Sequence, residues 1–215
     1  MNPLSPRRAF LKKSLQATIT TSSLLIPTVA CSAQEPLSSD NESINFIGPK
    51  KGYSPQIGTL VSMMNWMRDT ILRPVSYLSK KELDYLHDDN SNTIGAMLWH
   101  LAATERFYQL NTFDGRSWGD WPEKDAKEFS VAMSLGDTGR AQLKGHNIDF
   151  YLEKLERVRA YSLQELAKRD DEWLLKIDKN WVWPNPTNNY CKWFHVVEHE
   201  SNHNGQIKFI KSRIA

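Results

Sequence analysis

Apolar residues recur at helical spacing along four stretches of the chain, and polar or glycine- and proline-rich segments separate them. The first stretch places Ile57, Leu60, Val61, Met64, Met67 and Ile71 on one face, and Pro74 is positioned to end or kink it. Ser79 and Glu82 form an S-x-x-E capping pattern, which predicts a short helical turn through Leu86. A polar run, His87 to Asn92, follows. A second long helix is expected from Thr93, with Ile94, Met97, Leu98, Leu101, Ala102, Glu105 and Tyr108 on neighbouring turns, and its signal fades after Phe113. The third runs from Asn147 to Lys168, with Ile148, Leu152, Leu155, Val158, Ser162 and Leu166 as its inward stripe. The fourth spans Asn188 to Ser212, after the loop Trp181–Val182–Trp183–Pro184–Asn185–Pro186. No segment alternates convincingly as a strand does. The pattern therefore predicts an all-α four-helix bundle over residues 55–215. Residues 114–146, with Gly115, Gly119, Pro122, Gly136, Gly139, Gly145, Trp118 and Trp121, read as one long connection between helices two and three, a length that is often functional.

The beginning of the chain has a different character. Residues 1–31 place a basic stretch before a moderately apolar one that ends in small residues, which reads as an export signal. Arg7–Arg8–Ala9–Phe10–Leu11–Lys12 resembles a twin-arginine signal, although Pro6 stands where Ser or Thr is usual. Thr28–Val29–Ala30–Cys31 resembles a lipobox, so lipidation of Cys31 and simple cleavage nearby are both open. The expected location is the periplasm, with membrane attachment only through a lipid anchor on Cys31. Residues 32–54, rich in Ser, Pro, Gly and charge, read as a flexible tether.

Charge changes the picture once the leader is set aside. The formal charge is +2, and Arg7, Arg8, Lys12 and Lys13 carry four positive charges without an acid among residues 1–31, so the remainder stands at −2. Nucleic-acid binding then lacks its usual electrostatic basis. Only Cys31 and Cys191 are present, which excludes a disulfide framework, and Cys191 reads as a buried, inert thiol.

The candidate chemistry lies in the fourth helix. His195–Val196–Val197–Glu198–His199 spells H-x-x-E-H, and His199–Glu200–Ser201–Asn202–His203 spells H-E-x-x-H. Residues four apart differ by about 40° around a helix, so His195, His199 and His203 form one stripe. Its ends are about 12 Å apart along the axis, too far to share one ion through bonds of about 2 Å. One adjacent pair can, either His195/His199 or His199/His203. A protease of the H-E-x-x-H type draws a third ligand from downstream, but the segment after His203, NGQIKFIKSRIA, contains no His, Asp, Glu or Cys. The best upstream candidate is His100, an imidazole inside an apolar helix. His87 and His146 lie in polar connections and read as solvated. Gln206 is about 20° from His199 in projection and can face the site, or bond to another helix. Glu200 is placed as a protease base would be, with a helix-pairing or solvated acid as its alternative. Glu105, about 140° from His100, should not join the same ion and is suited to anchoring a neighbouring helix.

The segments IGAMLWHLAATERF (94–107) and HVVEHESNHNGQI (195–207) resemble the two signature segments of the DinB-like superfamily, over about residues 55–213. The resemblance implies a four-helix bundle in which His100, His199 and His203 hold a divalent transition metal. His195 would then be a pocket or packing residue, with Gln206 and Trp99 beside the site. Asn204 stands where the superfamily commonly has a second histidine. Three imidazoles suit Zn, Ni, Fe, Co or Cu equally. Characterised members include transferases and isomerases that use a low-molecular-weight thiol, and the resemblance implies a metal that holds this thiol as a thiolate. Tryptophans 99, 118, 121, 181 and 183 are candidates for an apolar pocket above it. Such thiols are mainly cytoplasmic, which sits poorly with export. The leading expectation is therefore a metal-dependent transferase or hydrolase acting on a small molecule, with a homodimer as the superfamily's precedent. A non-catalytic metal- or ligand-binding bundle is the alternative, and an H-E-x-x-H protease with Glu200 as base is a remote one.

Overall fold

The computed structural model describes residues 43–179, 181–182 and 184–214; the expected export signal, Cys31 and Trp183 lie outside them. The long helices are α1 (Pro55–Leu72), α3 (Ile94–Thr112), α6 (Ile148–Leu166) and α8 (Asn189–Lys211). Helix α2 (Lys80–Leu83) is the expected short turn, and both halves of its capping box form between Ser79 and Glu82. The ends of the long helices follow local chemistry. Thr93 accepts a hydrogen bond from the Ala96 N–H, Asn147 from Phe150 and Asn188 from Cys191. Helix α1 has Pro55 in its first turn and no cap of its own. Instead Asp171 accepts from the N–H groups of Gln56 and Ile57 and from the Ser54 hydroxyl. A carboxylate there satisfies orphan donors and favours the helix dipole.

The segment 114–146 is more ordered than a loop. It folds into α4 (Glu123–Ser134) and α5 (Gly136–Gln142). Helix α4 buries only Phe129 and Ala132, so its apolar stripe is too thin to register as a helix in the sequence. Helix α7 (Asp171–Leu175) follows α6, and two-residue strands β1 (Ile177–Asp178) and β2 (Thr187–Asn188) pair antiparallel ahead of α8. The end of the expected tether also packs. The Gly48 N–H donates to Ser62, Tyr53 joins the apolar core, and the Lys50 backbone lies where a side chain on Gly58 would stand. No described helix is long and apolar enough to cross a membrane.

Apolar side chains form two clusters. One gathers the second half of α1 with α3, α4, α6 and the end of α8. The other joins the first half of α1 to Tyr108, Leu166, Leu174, Trp181, Trp193 and Val196. All four long helices also meet at a buried ion cluster. Glu105 of α3 accepts from Arg68 of α1 at 2.7 Å and from Arg159 of α6 at 2.8 and 3.1 Å, and Ser162 adds a hydrogen bond at 2.6 Å. Glu200 of α8 accepts through Oε1 from both arginines. Two guanidinium groups and two carboxylates leave the cluster without net charge. Glu105 thus anchors neighbouring helices, as its angle from His100 suggests.

Candidate metal centre

His100 lies on the second turn of α3, with Met97, Leu101 and Ala103 buried around it. Its Nδ1 is 2.8 Å from the Ala132 carbonyl oxygen. A carbonyl can only accept, so Nδ1 carries the proton and Nε2 keeps its lone pair. Ala132 belongs to the last turn of α4, where carbonyls lack partners within their own helix. The long connection therefore contributes the group that fixes the His100 ring, a role visible in neither composition nor spacing.

His199 and His203 stand one turn apart on α8 and face His100. His100 Nε2 and His199 Nε2 are 2.8 Å apart, and one ring nitrogen from each of the three histidines falls within 4.8 Å of the others. His100 and His203 are each only 7% exposed. Burial pushes the His199 pKa down to about 3, helped by the neighbouring rings of His100, His203 and His195. Burial also lowers His203, to about 4, with His100 adding to the shift and Gln206 opposing it. Burial lowers His100 as well, against the Ala132 and Met133 backbone. His203 Nδ1 is buried with no hydrogen-bond partner among the described residues. The donor set thus consists of neutral, converging imidazoles, one locked in its tautomer by an outer carbonyl, and this is the arrangement that metal-ligating histidines require.

One consequence is a pH-dependent fold. Each histidine's folded pKa is depressed below the ordinary value of 6.5, so the unfolded chain binds protons that the folded chain refuses. Metal-free protein is expected to be unaffected above pH 6.5 and to lose stability as pH falls toward about 3, the value for His199. Thermal unfolding in chelator across this range, beside a His199→Gln variant that lacks the ring's share of the slope, checks it.

The other expected site residues divide. His195, one turn before His199, pairs through Nδ1 with the Tyr108 hydroxyl at 3.0 Å and stays outside the group of three. Gln206 is exposed and lines a cavity of about 450 Å³ with Met97, Asn92, His87 and Phe209. Its lining on α3, Met97, lies one turn before His100, and its lining on α8 begins within one turn after His203. Trp99 turns away. Its ring meets His146 and Phe150, under the Lys154 ammonium, and the described ring contacts include none to the three histidines. Of the remaining tryptophans, 118, 121 and 181 gather around Phe107 and Tyr108 on the next turns of α3.

Glu200 is engaged by the buried arginine pair. One residue on from His199 means about 100° around the helix, which points it into the arginine pair. Cys191, expected to be buried, is exposed, because two turns before His199 the helix has rotated its face outward. His87 and His146 are half-buried rather than solvated, against Phe209 and Phe150 respectively. The sequence reading missed Thr104, one turn after His100. Its hydroxyl lies 3.5 Å from His199 Nε2, and the i,i+4 spacing was the available signal.

No curated protein matches the chain. A family model does: it is described as mycothiol-S-transferase and covers residues 59–215, which include all three histidines, the ion cluster and the aromatic group. The bundle, its converging histidines and this match agree, and the chain belongs to the mycothiol-S-transferase family, a family of the DinB-like type.

Proposed function

We propose that this protein is a metal-dependent thiol transferase that joins a low-molecular-weight thiol to a small electrophile. The observation that carries the reading is the convergence of three neutral imidazoles, from two helices, within 4.8 Å. His100, His199 and His203 would hold a divalent transition ion, which when bound supplies Lewis acidity that favours the deprotonated form of a thiol. The Ala132 carbonyl keeps His100 in the tautomer that presents Nε2. Phe107, Trp118, Trp121 and Trp181 offer apolar surface for the carbon frame of the electrophile. His195 and Tyr108 provide a polar pair at that rim. In the transfer the thiol sulfur bonds to the electrophilic carbon. The bond to the leaving group breaks with its electron pair, and the thiol proton passes to solvent. The family's name supports mycothiol as the thiol.

Export belongs to the proposal too. The Arg7–Arg8 motif supports transport of the folded protein, and Cys31 supports a lipid anchor facing the periplasm. The test combines elemental analysis of protein purified without chelator with conjugation of mycothiol to monochlorobimane. Near-stoichiometric metal and conjugation lost on chelation are expected. Stoichiometric metal without conjugation of any thiol would leave a binding bundle.

A further inference from the structure

Three helical threonines in this protein share one hydrogen-bond pattern. Thr59, Thr70 and Thr112 each donate to the carbonyl four residues back, those of Pro55, Trp66 and Tyr108. That back-bond is what a helix offers a buried hydroxyl by default. Thr104 departs from it. It is 4% exposed, and among the described residues its hydroxyl reaches only the Met133 sulfur, at 3.9 Å, and His199 Nε2, at 3.5 Å. Sulfur is a weak acceptor, and 3.5 Å is long for a hydrogen bond to nitrogen. The hydroxyl is therefore a buried donor with no strong acceptor of its own, and it stands beside the nitrogens that converge on the metal centre.

A neutral hydroxyl is not among the usual ligands of such ions, and Thr104 adds nothing that three imidazoles lack as ligands. It does carry the hydrogen that an anionic ligand in the remaining coordination position would accept. We infer that the Thr104 hydroxyl donates a hydrogen bond to the sulfur of the thiol co-substrate, so that it holds this sulfur in its deprotonated form beside the histidines. The inference rests on the thiol-transfer reading above. Thr104 makes and breaks no bond to carbon; it places the sulfur and favours its anion. A hydrogen bond to a charged group of this kind corresponds to a factor of about 10 or more in binding.

The test uses the purified protein loaded with cobalt, which reports its ligands by colour. 2-Mercaptoethanol is titrated in, and its binding is read from the sulfur-to-cobalt charge-transfer band. Thr104→Val keeps the shape and removes the donor, Thr104→Ser keeps the donor, and Thr104→Ala serves if the valine variant does not fold. The expected result is unchanged cobalt stoichiometry and thiol-free spectrum in all variants. Thiol affinity should fall about tenfold or more in Thr104→Val and stay within about threefold of the parent in Thr104→Ser. Parental affinity in Thr104→Val would overturn the inference, and so would a valine variant that loses cobalt or changes its spectrum before thiol is added. A parent protein that takes up no cobalt would bring down the metal reading itself, and this inference with it. The two failures are distinct, because the first shows only in the variant.

Discussion

Glu105→Ala lowers the unfolding free energy by about 3–5 kcal/mol, the effect expected when one partner of a buried ion pair is removed. The variant leaves Arg68 and Arg159 buried, with Glu200 as their sole carboxylate partner in the cluster. It also strips the acceptor from Ser162. Glu105→Gln keeps the volume and isolates the charge. The wild-type pH dependence carries the same information. Burial alone would raise the Glu105 pKa, but Arg159 and then Arg68, with the Ser162 hydrogen bond, bring it to about 2 from an ordinary 4.5. The folded value is the lower one, so the contribution is fully present above pH 4.5 and is lost as pH falls through about 2. Its size is about 3 kcal/mol. Urea unfolding at pH 7 should show the loss in both variants. Between pH 4.5 and 2 the gap between wild type and Glu105→Gln should narrow. A constant gap would mean that the carboxylate charge is not what stabilises the cluster.

His199→Ala is expected to weaken metal binding by at least about 100-fold, beyond the range seen when only an outer hydrogen-bond partner of a ligand is lost. His199 approaches both of the other histidines closely. Its Nε2 faces His100 Nε2 at 2.8 Å, and its ring lies 4.6 Å from that of His203. The remaining two histidines come from different helices and make a poor site alone. His195→Ala should retain the metal, since His195 turns to Tyr108 instead. Metal content after dialysis against a competing chelator measures both. Loss of metal in His195→Ala as well as in His199→Ala would reassign the ligand pair to His195 and His199, the other end of the stripe.

The long helices and the three histidines were readable because both rest on one periodicity. Apolar residues at helical spacing mark α1, α3, α6 and α8, and the same 3.6-residue turn puts His199 and His203 on one face. What the sequence concealed depends on contacts between distant segments. Arg68 and Arg159, 37 and 54 residues from Glu105 along the chain, sit in apolar stripes as apparent interruptions, and only the carboxylates they share explain them. Helix α4 escaped because it buries two side chains and acts through a backbone carbonyl, which has no sequence signature. Trp99 was drawn toward the site by its place beside His100, yet adjacent residues diverge by about 100° on a helix. Its ring accordingly meets α6.

The hydrogen bond from His100 to Ala132 has a consequence for how the centre and the chain between α3 and α6 depend on each other. The carbonyl that orients a ligand ring ends a helix with little buried surface of its own. Whatever energy an ion gains from a correctly held His100 is therefore returned, by reciprocity, as energy that keeps α4 in place. Filling the centre and ordering this segment become one equilibrium seen from two ends. A swing of α4 away from the bundle would release the imidazole it holds.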